Sequence, residues 1–183
     1  MTAVPGDGKV TLYWDRVAEE SLDPVTKEKD FQGYKIYRAT DPNFNDVRNI
    51  TDANGLIQGY STLAQFDKKD EIKGYFYPSK SLFQDTKGYS YYLGDDSGLI
   101  HSYIDNDVQN GRTYYYALVA YDHGDEEKDI FPSENSKFIS VLPTGEIITD
   151  QNTSYITPSS SSAGYSLNDT VITKHQGPGT GSL

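Results

Sequence analysis

The stretch G-R-T-Y-Y-Y-A-L-V-A-Y-D at residues 111–122 decides the fold. Successive side chains of a strand point to opposite faces, so Tyr114, Tyr116, Leu118 and Ala120 share one face and Tyr115, Ala117, Val119 and Tyr121 the other. Both sets are apolar or aromatic, the mark of a strand covered on two sides in the middle of a sheet. Two upstream runs have the same period of two. V-T-L-Y-W-D at residues 10–15 sets Val10, Leu12 and Trp14 on one face, and G-Y-K-I-Y-R at residues 33–38 turns Tyr34 and Ile36 inward. All three runs are bounded by Gly, Asp, Asn or Pro. The pattern predicts an all-β chain in which two antiparallel layers enclose one interior of Val10, Leu12, Trp14, Tyr34, Ile36, Tyr114, Tyr116 and Leu118.

Outward from these runs, residues 101–105 resume a strand pattern and residues 136–142 supply a last sandwich strand closed by Pro143. Residues 16–30 are charged and contain Pro24, which reads as a solvated connection with one helical turn over 16–21. Between 41 and 98 no single period holds, and turn signals accumulate at D-A-N-G (52–55), K-G (73–74) and G-D-D-S-G (94–98). A structureless loop of that length does not suit a compact domain, so this insertion is expected to form a small hairpin layer on the sandwich. The sandwich is bounded at 1–142, with 41–98 as its insertion. Residues 143–183 form an extended tail of linker composition, S-S-S-S at 159–162 and G-P-G-T-G-S at 177–182. Two β-prone pieces interrupt the tail, one holding Tyr155 and Ile156, the other Val171 and Ile172. They read either as linker or as strands added to an open sheet edge, of this domain or of a neighbour.

The chain has 183 residues, a formal net charge of −11 and no cysteine. That charge argues against nucleic acid or an anionic membrane surface as partner, because both need clustered Lys and Arg. Disulfides, Cys-based zinc sites and thiol catalysis are excluded outright. No apolar run approaches a membrane span, and residues 1–5 lack the basic start and apolar core of a signal peptide. Because residues 4–8 lead almost directly into a strong strand, the chain reads as part of a longer polypeptide.

Taken together, V-x-L-x-W at residues 10–14, G-Y-x-I-Y-R at 33–38 and N-G-x-T-Y-x-Y-x-L-x-A at 110–120 resemble the fibronectin type III family. The resemblance covers about half the chain, roughly residues 3–41 and 100–142. It implies an immunoglobulin-like β-sandwich in which Tyr114 makes a tyrosine corner, its hydroxyl bonding backbone near residues 108–110. The wording P-G-D-G-K-V-T-L-Y-W-D and D-F-Q-G-Y-K-I-Y-R-A-T-D-P-N-F, with T-P-S-S-S-S-A-G-Y in the tail, is similar to modules of large secreted or cell-surface proteins of the Bacteroidetes and related bacteria. An extracellular or cell-surface location follows as an expectation. Asp169-Thr170-Val171 resembles the D-[ST]-apolar O-glycosylation signal of those bacteria, with Thr170 the acceptor. The long insertion and the tail depart from the family pattern, so any specialised contact is expected there.

Candidate chemistry is sparse. The three histidines, His101, His123 and His175, are scattered, and no G-x-S-x-G elbow is present, so the chain reads as non-catalytic and without a resident cofactor. Acidic groups including Asp95, Asp96, Asp122 and Asp125 read either as solvated loops or as oxygen ligands for calcium. Sixteen tyrosines are the other resource: Tyr13, Tyr37, Tyr115 and Tyr121 fall on outward strand phases, and Tyr75, Tyr77, Tyr89, Tyr91 and Tyr92 crowd the insertion. Exposed rings suit sugar stacking or a protein interface. The alternative is that insertion and tail cover them as a second core. The functional expectation is a structural or binding module of a larger protein, making protein–protein contacts or spacing its neighbours. Its rivals are a fibre subunit joined to other copies through C-terminal strand addition, and a carbohydrate-binding accessory module.

Overall fold

The computed structural model describes residues 1–23, 27–51, 54–76 and 90–161. The chain enters through a hairpin of β1 (Thr2–Gly6) and β2 (Lys9–Tyr13), in which Gly6 pairs with Lys9 across Asp7-Gly8. Gly8 sits at φ +61°, a left-handed backbone conformation that glycine adopts without strain. A 3₁₀ turn, Val17–Glu20, follows. Next come β3 (Phe31–Ala39), a short hairpin of β4 (Ile50–Thr51) and β5 (Ile57–Gly59), and β6 (Ala64–Asp67). A second two-stranded antiparallel pair is formed by β7 (Gly74–Tyr75) and β8 (Tyr92–Gly94). The remaining strands are β9 (Ser102–Asp105), β10 (Tyr114–Asp122), β11 (Ile139–Val141), β12 (Ile147–Thr149) and β13 (Thr153–Ile156).

The protein is an all-β sandwich built of antiparallel sheets. One layer is β1-β2-β9 and the other β13-β10-β3-β6, with β3 and β10 in register from Tyr115↔Ala39 to Tyr121↔Gly33. Between the layers lies one cluster of buried Val10, Leu12, Trp14, Phe31, Tyr34, Ile36, Val108, Tyr114, Tyr116 and Leu118. Trp14 meets Tyr34 edge-on at 5.9 Å, so residues far apart in sequence share one interior. Burying side chains of this size stabilises the fold by about 1.5–3 kcal/mol each. At its polar edge the Tyr116 hydroxyl donates to Asp105 Oδ2 at 2.7 Å, and Arg38 Nη1 donates to both Asp105 oxygens at 3.0 Å.

Three expectations are corrected. The interval 41–98 is not one insertion, because β6 within it pairs with β3 as the edge of the main sheet, Gly33 opposite Asp67 and Ile36 opposite Ala64. The segment 136–142 is not a sandwich strand; among the described residues its β11 pairs only with β12, in a separate two-stranded sheet. The place beside β10 is taken instead by β13, with Tyr114 opposite Ile156 and Ala117 opposite Thr153. Sheet pairing therefore continues past residue 142, and the piece holding Tyr155 and Ile156 is tied along one edge to its own chain. Among the described residues no helix is long and apolar enough to cross a membrane.

Candidate functional site

From Gly33 onward the odd-numbered residues of β3, and those of β10, point away from the central interior, which sets Lys35 beside Val119 and Gly33 beside Tyr121, with Gln65 of β6 next to Lys35. That outer face is not left to solvent. Tyr121 is covered by Phe76, Tyr91 and Leu93 from the β7–β8 region together with Phe131, and Tyr37 by Phe44, Ile139 and Tyr60. Tyr37 and Tyr121 are each only 2 % exposed, so two of the four outward tyrosines belong to satellite cores. Tyr13 remains half exposed on the opposite layer, and Tyr115 packs near Tyr155 at 6.5 Å between ring centres.

Between the two satellite cores sits a buried polar knot. Glu134 accepts from Lys35 Nζ at 3.0 Å, from the Tyr91 hydroxyl at 2.7 Å and from the Tyr37 hydroxyl at 3.1 Å. The Lys35 ammonium lies 3.6 Å from the centre of the Tyr91 ring and 4.9 Å from that of Tyr121. Burial works against the Glu134 carboxylate, but the Lys35 charge and the tyrosine and lysine donors outweigh it and hold the carboxyl below its usual range. Burial pushes the Lys35 ammonium down from its ordinary value, and burial beside Glu134 pushes the Tyr91 phenol far up. Tyr121 ties the layers together, donating its hydroxyl to the Leu93 carbonyl and accepting from Gln65 Nε2 at 2.8 Å.

Above this knot opens a cleft of about 380 Å³, within the size range of small-ligand sites. Its floor is Lys35, Tyr37, Tyr91 and Glu134; its walls include Tyr60, Tyr75, Tyr92, Gln58, Thr62 and Gln65. Tyr75 and Tyr92 form a cross-strand pair at the lip, 5.1 Å between ring centres and tilted at 57°. Tyr75 is 53 % exposed, while Tyr91 is buried beneath. The Tyr92 phenol is pushed up to about 12, chiefly by its hydrogen bond to Asp95. The Lys137 ammonium, which does not line the cleft, sits 3.5 Å from the Tyr60 ring centre and 4.9 Å from that of Tyr37, and burial lowers its pKa.

Of the residues singled out in the sequence, Tyr75, Tyr91 and Tyr92 come together here. Tyr77, Tyr89, Thr170, Val171 and Ile172 lie outside the described residues. Tyr155 is exposed and Ile156 half buried on β13, away from the cleft. The four calcium candidates are not gathered: among the described residues no group of three acidic or histidine side chains converges as a metal site. Asp96 accepts from the Glu71 N–H and Lys73 Nζ at 3.0 Å each, and Asp125 pairs with Lys128 at 3.0 Å. Asp122 accepts from Ser133 and Gly124 backbone N–H groups at 2.9 and 3.1 Å, closing a turn. Asn152, in one N-glycan-like triplet, spends its amide on the Leu118 and Ser136 carbonyls, and Thr153 beside it is buried.

Sequence reasoning did not single out Lys35, Tyr60, Gln65 or Glu134. A Lys on the outward phase of a strand reads as a solvent residue, and nothing local to Glu134 announces that two tyrosine hydroxyls converge on it. Comparison of the chain with protein-family models, curated proteins and solved structures returns no match.

Proposed function

We propose that the chain is a non-catalytic fibronectin type III-like module of a larger bacterial secreted or cell-surface protein. Its sandwich spaces or presents, and the segments laid over its outer face make the specific contact. The observation that carries this reading is the strand order, β1-β2-β9 over β13-β10-β3-β6. It is the three-plus-four division expected of that family. The Gln109 N–H donates to the Tyr114 hydroxyl at 2.9 Å, which fits the tyrosine-corner role that the resemblance assigns to Tyr114. The non-catalytic part is supported by Glu134: the carboxylate in the cleft floor is engaged by Lys35, Tyr37 and Tyr91, an arrangement suited to holding rings in place rather than to abstracting a proton. The rival reading of a fibre subunit loses part of its support, since Tyr155 already pairs with Tyr115 of the same chain.

Two measurements test the proposal. Antibodies to the chain should label intact, unpermeabilised source cells or recover the protein from the medium; signal confined to the cytosol overturns the location. Generic glycoside and ester substrates should show no turnover above buffer, and turnover abolished by Glu134→Gln overturns the non-catalytic assignment.

A further inference from the structure

We propose that the tyrosine-lined cleft is a binding site for uncharged carbohydrate, one or two sugar units of a neutral glycan seated on Tyr75 and Tyr92. The proposal rests on the reading of the chain as a non-catalytic binding module and names the ligand class of its cleft. Three features narrow the chemistry. First, the lip rings are inclined to each other at 57° with centres 5.1 Å apart, and Tyr75 is 53 % exposed, so aromatic faces meet the cleft mouth where a sugar's C–H face can lie on them.

Second, a cationic ligand finds the inner rings already taken. The Lys35 ammonium in the floor is 3.6 Å from the Tyr91 ring centre, so a quaternary ammonium would meet a like charge there instead of an empty cage. An anionic ligand approaches a chain of net charge −11 and a floor whose lysine is already paired with Glu134. Third, the walls are not apolar throughout. Gln58, Thr62 and Gln65 border the same space as the rings, which suits a ligand with one apolar face and a polar edge and does not suit a lipid tail. Hydrogen bonds to Glu134 fix Tyr91 and Tyr37 in the floor, so the floor beneath the lip rings is built before a ligand arrives.

The test uses the full chain and isothermal titration against cello-, xylo-, manno- and chito-hexaose, with hexagalacturonate and a trimethyl-lysine peptide as charged comparators. The expected result is binding of at least one neutral hexaose tighter than about 1 mM and neither charged probe as tightly. Tyr75→Ala should weaken that binding by about tenfold and Tyr92→Ala likewise, with Tyr75→Phe restoring most of it. Because Tyr75 is mostly solvent-facing, its variants should keep the parent's melting midpoint, and that measurement accompanies each titration. Binding only of the acidic or the cationic probe overturns the proposal. So does silence toward all four neutral hexaoses, or affinity unchanged in Tyr75→Ala. Silence leaves the module reading standing. Release of new reducing ends from a bound hexaose overturns the non-catalytic reading and leaves the sugar site in place.

Discussion

Replacing Glu134 by Gln should destabilise the fold through the lysine it leaves behind. The side chain of Lys35 is only 7 % exposed and that of Glu134 23 %, so removing the carboxylate leaves an ammonium buried without its counter-charge. Breaking such a pair typically costs 3–5 kcal/mol. The residual water access of Glu134 places the expectation at the lower end, about 3 kcal/mol. For a chain of this size that corresponds to a fall in melting midpoint of about 6–12 °C. Urea unfolding followed by Trp14, the single tryptophan, reads the loss directly, because its ring lies in the main interior against Tyr34. The double variant Lys35→Met with Glu134→Gln should regain about half of the loss, since the stranded charge is gone while the glutamine amide offers the two tyrosine hydroxyls one neutral acceptor oxygen in place of a carboxylate. A single-variant loss under about 1 kcal/mol, or a double variant no better than the sum of its singles, refutes the account of the knot.

The same carboxylate gives a pH dependence. Its folded pKa lies below the unfolded value, so its contribution is complete above the unfolded range near ~4.3 and is lost as pH falls through the folded value. The urea midpoint should drop on acidification from pH 5 to 3, and Glu134→Gln should flatten part of that drop; parallel curves for the two proteins count against it. Gly33→Ala should cost about 1–3 kcal/mol by overpacking, because a Cβ there would sit 2.4 Å from the Phe66 carbonyl oxygen and 2.8 Å from the Tyr121 hydroxyl. An unchanged unfolding curve contradicts that. Tyr114→Phe removes the acceptor for the Gln109 N–H, with an expected loss of about 0.5–1.5 kcal/mol in the same assay and no change in m-value.

How much of this was legible in the sequence follows from the length of each signal. β3 and β10 each span nine residues, long enough for a period of two to declare both strand and face. β6 has four residues among turn signals, too few to separate a sheet edge from a loop, so by pattern alone it reads as part of the insertion. Alternation marks a segment as a strand without naming its partner. Tyr155 and Ile156 therefore stood open between linker, self-pairing and neighbour, and only the register with Tyr115 and Tyr114 decided it. The cleft was the least readable feature. Lys35, Tyr60, Tyr75, Tyr92 and Glu134 come from separate segments, and their meeting depends on how hairpins with little internal period lie across a sheet. The crowd of insertion tyrosines was visible in the sequence; that two outward tyrosines, Tyr37 and Tyr121, would be sealed beneath other segments was not decided by strand phase alone.

The central pairing of β3 with β10 also sets a timetable for synthesis. About 75 residues separate the end of one strand from the start of the other, which at ribosomal speeds is a delay of roughly 4–15 s. Throughout that interval a nine-residue segment carrying Phe31, Tyr34, Ile36 and Tyr37 waits outside the exit tunnel without its principal neighbour. The nascent polypeptide is thus vulnerable to self-association between the emergence of these two strands, and a chaperone that shields hydrophobic stretches would act in that interval.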